Sequence, residues 1–203
     1  MKDNRITPDN AVLLLVDHQA GLMQLVKDYG EQDFKNNVMA LADIGVLFKL
    51  PTILTTSFES GPNGPILPEI KEKFPKAPFI QRPGQINAWD NEEFVQAIKK
   101  TGRKKLIIAG IVTEVCVAFP TLSALEEGYE VYVVVDASGT FNQSVRDAAL
   151  TRMASAGAIL TSWFALASEL QKDWRNDAAG LAKLLSDHLV SYNCLIQSHN
   201  AKK

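Results

Sequence analysis

Leu106-Ile-Ile-Ala-Gly-Ile111 is an apolar run in which no polar residue alternates with the hydrophobic ones. A strand of this composition is buried on both faces, which is typical of a parallel sheet covered by helices on each side. Similar β-rich runs recur along the chain, and most are followed by a segment with helical spacing; they occupy residues 11–16, 51–56, 78–81, 131–135 and 158–161. This alternation predicts an α/β fold, namely a three-layer α/β/α sandwich with a six-stranded, mainly parallel sheet.

The length of 203 residues is that of one large domain, which we place at residues 1–203. From residue 169 onward the spacing of apolar residues indicates helices only. Residues 171–203 are therefore interpreted as a helical C-terminal extension of that domain.

The composition excludes several classes of protein. Hydrophobic residues make up 46% of the chain and charged residues 22%, which is the mixture of a globular domain and not of a disordered or fibrous chain. A formal net charge of −2 offers no basic surface, so neither nucleic acid nor a membrane is an expected partner. Two cysteines are too few for a secreted disulfide scaffold, and the early apolar run is too short for a signal peptide or a membrane span. A cytoplasmic location is therefore expected.

Three reactive side chains are expected at one edge of the predicted sheet. Ligands of open parallel sheets bind beyond the carboxyl ends of the strands. Asp17 follows the first strand, Arg82 the third and Cys116 the fourth, so an acid, a cation and a thiol converge at that edge. Other polar residues expected near it are His18, Gln19, Thr113, Glu114 and Asp136.

Each of the three residues has a chemical interpretation and a plainer alternative. Cys116 lies at the start of a helix, where partial positive charge lowers the pKa of a thiol, but it could equally be an inert buried residue. Asp17 could act as a general base or merely cap the turn that follows it. Arg82 could stabilise a charged pair at the site or form an ordinary surface ion pair.

Fingerprints of other sites are missing from the sequence. It contains no G-x-G-x-x-G, no G-x-x-x-x-G-K-[ST] and no G-x-S-x-G. The three histidines lack metal-ligand spacing, so no metal and no cofactor is expected, and His18 is interpreted as a packing or hydrogen-bonding residue. Aromatic residues fill cores more often than sites. With that reservation, the candidates for substrate contact are Gln19, Phe58, Trp89 and Phe119.

Several pieces of the sequence are informative together: Leu15-Val-Asp-His-Gln19, Arg82, Asn87-Ala-Trp89, Gly110-Ile-Val-Thr-Glu-Val-Cys-Val117 and Val135-Asp-Ala137. They resemble the isochorismatase-like cysteine hydrolase superfamily, and most closely its YcaC-type branch, whose substrates are undefined. The resemblance covers roughly residues 8–170, and its most specific part is residues 110–117. It implies a Rossmann-like fold and, for the C-terminal helices, a use in assembly.

The resemblance also implies roles for individual residues. Asp17 matches the catalytic aspartate and Cys116 the nucleophile, while the N–H groups of Val112 and Cys116 match an oxyanion hole beside a cis peptide bond between Ile111 and Val112. Arg82 takes the place of the usual lysine, and because arginine stays protonated it can hold a charge but cannot shuttle a proton. Nicotinamidase activity is disfavoured, since the Asp/His metal site of that branch has no matching histidine pair here.

The functional hypothesis is an amidase-type cysteine hydrolase that cleaves a non-peptide C–N bond of a small molecule through a thioester. The alternative is a catalytically silent binding or scaffold protein on the same fold. A flavodoxin-like redox domain, which would be yellow, is a third hypothesis and is not expected. The resemblance and the terminal helices together imply a homo-oligomer such as an octamer.

Overall fold

A computed structural model describes residues 5–201 and contains a six-stranded sheet in the order β3-β2-β1-β4-β5-β6. Every neighbouring pair of strands is parallel. The strands are β1 Ala11–Val16, β2 Thr52–Ser57, β3 Phe79–Arg82, β4 Lys105–Gly110, β5 Glu130–Val134 and β6 Ile159–Thr161. The predicted sheet is confirmed, and it is parallel throughout.

Helices connect the strands and continue beyond the last of them. The α-helices are α1 Ala20–Met23, α2 Glu31–Leu47, α3 Pro68–Lys73, α4 Glu92–Lys100, α5 Ala118–Glu126, α6 Gln143–Ser155, α7 Trp163–Gln171, α8 Ala178–His188 and α9 Val190–Asn200. Two 3₁₀ turns, Ala88–Asp90 and Val135–Ala137, and one π turn, Thr113–Val117, complete the described elements.

The core lies on both faces of the sheet, as the apolar strands require. In β1, Leu13 and Leu15 pack into a cluster with residues of α2, α7 and α8. The intervening Leu14 and Val16 pack into a second cluster with residues of α4, α5 and α6. Each fully buried Leu or Val side chain contributes roughly 1.5–3 kcal/mol, so both layers of helices are held by strong apolar contacts. The three-layer prediction is therefore confirmed.

The C-terminal segment contains two helices that are buried to different extents. Leu181, Leu184 and Leu185 of α8 are buried in the cluster that also contains Leu13 of β1. Helix α9 has no buried residue at all. The first helix is thus part of the core, while the second lies on the surface of the chain.

Among the described residues, no helix is both long enough and apolar enough to cross a lipid bilayer.

Candidate active site

The strand order brings the three predicted reactive residues to one edge of the sheet. Arg82 is the last residue of β3, Asp17 directly follows β1, and Cys116 lies in the π turn after β4. Strand β2 separates β3 from β1, and β4 lies directly beside β1. The side chains therefore come from neighbouring strand ends although they are far apart in sequence.

Asp17 and Arg82 form a buried ion pair. The Arg82 Nη2 atom lies 2.5 Å from both Asp17 Oδ1 and Oδ2, and both side chains are fully buried. The remaining donors of Arg82 are also occupied: Nε donates to Thr55 Oγ1 at 3.0 Å, and Nη1 donates to the carbonyl oxygens of Gln85 and Ile86. Arg82 therefore orients the Asp17 carboxylate and has no described donor left over for a substrate.

The backbone also fixes where the Asp17 carboxylate points. Asp17 has a φ of 58°, a left-handed conformation that is uncommon for residues other than glycine but tolerated by aspartate. Its N–H still continues the sheet by donating to the Thr55 carbonyl at 2.9 Å. Burial raises the pKa of Asp17 above its ordinary value, and the Arg82 guanidinium offsets part of that increase. A carboxylate in this state is a stronger base than an exposed one.

Cys116 lies close enough to the same carboxylate for the two groups to shift each other's pKa. Burial and the negative charge of Asp17 raise the pKa of the Cys116 thiol above its ordinary value. The prediction of a lowered pKa is therefore wrong for the free protein, because burial of the thiol and, after it, the charge of the neighbouring carboxylate raise the pKa. The thiol is instead poised to pass its proton directly to Asp17.

The peptide bond between Ile111 and Val112 is cis, as the resemblance implies. Val112 makes a backbone hydrogen bond to the Cys116 thiol that lowers the pKa of the thiol, so the N–H of Val112 is the donor. The Cys116 N–H donates to the Val112 carbonyl oxygen at 2.9 Å. Both predicted oxyanion-hole groups thus already have a partner in the free protein, so each would have to give up or share its hydrogen bond to bind a substrate oxyanion, and their role stays a prediction.

Two of the predicted substrate-contact residues, Gln19 and Trp89, make hydrogen bonds or ring contacts within the protein. Gln19 is fully buried and its amide bonds the backbone of Ser57 and Gly64, so it braces a loop against β2. Trp89 packs edge-on against Phe94 and Tyr129, and its indole N–H donates to Glu127. Glu127 directly follows the C-terminal end of α5, whereas Cys116 precedes the N-terminal end. From the rise of an α-helix, the two ends of α5 are about 13 Å apart. Contact of Gln19 and Trp89 with a substrate therefore stays a prediction, for side chains that already make these contacts within the protein.

The other two aromatic candidates remain predictions. Phe58 follows β2, donates its N–H to the Arg82 carbonyl at 3.0 Å and is 50% exposed. Phe119 lies three residues after Cys116, and the Arg152 guanidinium lies 5.7 Å from the centre of its ring. Phe58 therefore lies beside Arg82 in space and Phe119 lies near Cys116 in sequence, and neither has a described contact with the sulfur.

His18, next to the catalytic candidate Asp17, is a hydrogen-bonding residue as interpreted. Its Nε2 lies 3.0 Å from the Ala137 carbonyl oxygen, and its ring is fully buried. Burial lowers the pKa of His18 to about 4, so the imidazole is neutral near pH 7. Asp136 at the same edge is structural, since its carboxylate accepts the Trp163 N–H at 2.9 Å.

Thr55 is a site residue that sequence reasoning missed. It lies in β2 between the strands of Asp17 and Arg82, and its hydroxyl donates to the Ile80 carbonyl at 2.8 Å while accepting from Arg82. A polar residue near the carboxyl end of an otherwise buried strand is the signal that could have identified it. Its function is to guide Arg82 across β2 to Asp17.

Cavities do not by themselves identify the reactive centre. A cavity of about 990 Å³ opens at the amino ends of β2 and β3, on the opposite edge of the sheet from Cys116. A smaller one of about 410 Å³ lies between Glu114 of the π turn and helix α6. The chemistry favours the carboxyl edge, since the first cavity is lined by neither a thiol nor a paired acid and base. Within residues 5–201, no group of three or more His, Cys, Asp or Glu side chains could hold a metal ion.

Comparisons with known proteins identify a family and similar hydrolases. Residues 11–164 match the model of the isochorismatase domain family. The chain is 60% identical over 196 residues to the probable hydrolase YcaC of Escherichia coli (strain K12), covering 97% of this chain and 94% of that protein. The crystal structure of the Escherichia coli YcaC gene product, an octameric hydrolase of unknown specificity, has a TM-score of 0.98 and 59% identity over 100% of both chains. YcaC from Pseudomonas aeruginosa, solved with hexane-2,5-diol and covalent acrylamide, has a TM-score of 0.97 and 62% identity, covering 98% of this chain and 99% of that one.

Proposed function

The chain belongs to the isochorismatase family, as its sequence resemblance implied, and on that premise we propose that it is a cysteine hydrolase of small amides. Cys116 is the nucleophile and Asp17 is the general base. The observation that carries this proposal is the contact between the Cys116 thiol and a carboxylate that Arg82 holds from the other side. The description of the closely similar relatives as hydrolases supports it.

The first half of the reaction forms a thioester. Asp17 accepts the proton of the Cys116 thiol, and the resulting thiolate attacks the amide carbonyl carbon. The oxyanion that forms is stabilised by the Val112 N–H, the kind of donor whose loss costs roughly 2.7–4 kcal/mol. The C–N bond then breaks, and the leaving amine takes the proton from Asp17.

The second half restores the enzyme. Asp17 takes a proton from water, and the oxygen attacks the thioester carbonyl. The C–S bond breaks, the acid product leaves, and the thiolate recovers the proton from Asp17. Arg82 keeps its charge throughout, so its part is to hold the carboxylate in place.

The raised pKa of both groups fits proton transfer on demand. A buried thiol beside a carboxylate stays protonated in the free protein, and a buried carboxylate accepts a proton more readily than an exposed one. The proton therefore moves between two atoms already in contact when an electrophilic carbonyl arrives. The covalent acrylamide in the Pseudomonas aeruginosa relative supports a reactive nucleophile in this family, because acrylamide is an electrophile to which nucleophiles add at its carbon–carbon double bond.

Substitution of the nucleophile tests the proposal. Cys116→Ala should abolish hydrolysis of every amide that the protein cleaves, and in a Cys194→Ala background it should also abolish alkylation by acrylamide near neutral pH. The matched control is Cys194→Ala, which removes the other free cysteine, an exposed one in α9. Hydrolysis is measured over a library of small amides by mass spectrometry, and alkylation by the mass gained by the intact protein.

The catalytically silent binding or scaffold protein is the alternative outcome of the same experiment. The raised pKa of the Cys116 thiol is what favours it, since an inert buried thiol would share that property. A Cys116 that neither reacts with acrylamide nor supports hydrolysis of any amide would establish this alternative.

We also propose the setting in which the enzyme works. Its partners are a small-molecule substrate and further copies of the same chain, forming a homo-octamer in which residues 171–203 take part. The octameric description of the Escherichia coli relative supports the assembly. The two free thiols favour a reducing compartment such as the cytoplasm.

A further inference from the structure

The turn that carries the nucleophile is held by a second loop, residues 139–140. The Thr113 N–H donates to the Gly139 carbonyl at 3.0 Å. The next residue, Glu114, accepts a hydrogen bond from the Thr140 hydroxyl, with 2.6 Å between Thr140 Oγ1 and Glu114 Oε2. Glu114 lies two residues before Cys116 in the same π turn. The position of the sulfur is therefore tied to that loop.

Thr140 is itself fixed by all of its polar groups. It is fully buried, and its N–H donates to Asp28 Oδ1 at 2.8 Å. Its carbonyl oxygen accepts the N–H of Lys27 at 2.8 Å. Since its hydroxyl also donates to Glu114, Thr140 joins the Cys116 turn to the segment before α2.

The far end of this connection is a buried carboxylate. The Asp28 side chain is fully buried, and its Oδ2 lies 3.7 Å from Arg146 Nη1, too far for a hydrogen bond. Burial raises the pKa of Asp28, and the negative charge of Glu114 adds to that increase. Two acids thus lie near each other, and an arrangement of this kind is costly unless Thr140 keeps its bonds to both.

We infer that Thr140 is a positioning residue for the nucleophile and that it acts through Glu114. Its hydroxyl holds the π turn at the distance from Asp17 that lets the Cys116 thiol and the carboxylate touch. This inference rests on the proposed function, since it concerns the same thiol. It adds that the reactivity of Cys116 depends on a residue outside the set Asp17, Arg82 and Cys116.

The test measures the rate at which acrylamide alkylates Cys116 in a Cys194→Ala background. Thr140→Val, which keeps the shape of the side chain and removes its hydroxyl, should slow alkylation about tenfold, equivalent to about 1.4 kcal/mol in the activation barrier. Thr140→Ser keeps the hydroxyl, so its alkylation rate should lie within about twofold of the rate of the background protein, a much smaller change than tenfold. For any amide that the enzyme hydrolyses, Thr140→Val should lower kcat and leave KM unchanged.

A matched control and a second variant separate positioning from a general loss of stability. Thr121 is a fully buried threonine in α5 whose hydroxyl has no described partner, so Thr121→Val should leave the alkylation rate unchanged. Glu114→Ala removes the acceptor from the other side, and combining it with Thr140→Val should slow alkylation no more than either change alone.

The outcomes are distinct for the two proposals. If Cys116 reacts in the background protein and Thr140→Val reacts as fast, the positioning inference is overturned and the hydrolase proposal stands. Additive effects of Thr140→Val and Glu114→Ala would also overturn it. A Cys116 that is unreactive in the background protein would remove the hydrolase proposal and this inference with it.

Discussion

At the scale of single residues, Arg82 shows how a site can be adapted to one side chain. A buried charge is costly unless it is paired and its remaining hydrogen bonds are satisfied. Arg82 meets both conditions. Its Nη2 atom donates to both carboxylate oxygens of Asp17, and its other two nitrogens donate to Thr55 and to two backbone carbonyl groups. A lysine has three donors from one atom and cannot reach all of these acceptors. The departure from the family's usual lysine is therefore built into the surrounding loop.

Arg82→Lys should for this reason destabilise the protein by roughly 2–4 kcal/mol, since buried acceptors are left without a donor. It should also lower any amidase activity, because Asp17 loses its fixed orientation. Urea unfolding and the rate of Cys116 alkylation measure the two effects. Arg175→Lys is the matched control, since Arg175 makes a similar two-atom contact with Asp173 on the surface, where its side chain is 90% exposed, and should leave the unfolding midpoint unchanged. Equal losses in both variants would contradict the account of Arg82.

At the scale of elements, one polar cluster joins three helices on the face opposite α5. Asp43 of α2 lies 2.9 Å from His188 Nε2 at the end of α8 and pairs with Lys73 of α3. His188 Nδ1 lies 2.9 Å from Asn36 Oδ1, also in α2. Burial works against ionisation of Asp43, yet the hydrogen bonds from His188 and Lys73 hold the pKa of Asp43 below its ordinary value. The cluster thus fastens α8 to the body of the domain.

The lowered pKa of Asp43 sets the pH range in which the cluster stabilises the fold. Its stabilisation is fully present above the ordinary aspartate pKa of 3.8 and is lost as the pH falls through the lower value in the folded state. Asp43→Asn should therefore cost roughly 1–3 kcal/mol at pH 7, and the difference from the unsubstituted protein should shrink below about pH 4. Urea unfolding at several pH values measures this. Asp187→Asn, which removes an exposed acid of α8, is the control, and a difference that persists unchanged to pH 3 would contradict the cluster's part.

At the scale of the whole molecule, the described surface carries apolar side chains that the chain itself does not cover. Helix α9 has 11 residues, and none of them is buried. Two of its apolar side chains are largely exposed, Val190 at 82% and Leu195 at 62%. Isolated helices of this length are marginal in water. The edge strand β6 adds Ile159 and Leu160, both exposed. Burial of such residues against further copies of the chain is what the proposed octamer would provide.

Combining Val190→Glu with Leu195→Glu should therefore reduce the size of the assembly, because two charges would have to enter an apolar interface. Light scattering with size-exclusion chromatography measures the mass. Asn200→Asp adds a charge to an exposed residue of the same helix that lies on neither the Val190 nor the Leu195 side, and it should leave the octamer intact. A monomeric unsubstituted protein would contradict the assembly itself, and an unchanged octamer in the double variant would exclude α9 from its interface.

Local patterns in the sequence determined the strands, most helices and the layered class, because each depends on the periodicity of apolar residues within one segment. The chain order also determined that Asp17, Arg82 and Cys116 stand at one edge, because parallel strands all end on the same side.

Tertiary structure alone decided the electrostatic and hydrogen-bonding environment of those residues. Thr55 lies between Asp17 and Arg82 only because β2 is placed between β1 and β3. The pKa of Cys116 is raised because the folded chain buries the thiol and brings a carboxylate from a distant segment near it. The Gln19 amide donates to backbone carbonyl groups and the Trp89 indole N–H donates to Glu127, and no local sequence pattern reveals these partners. Electrostatic and hydrogen-bonding environments depend on distances between segments, and those distances exist only once the chain has folded.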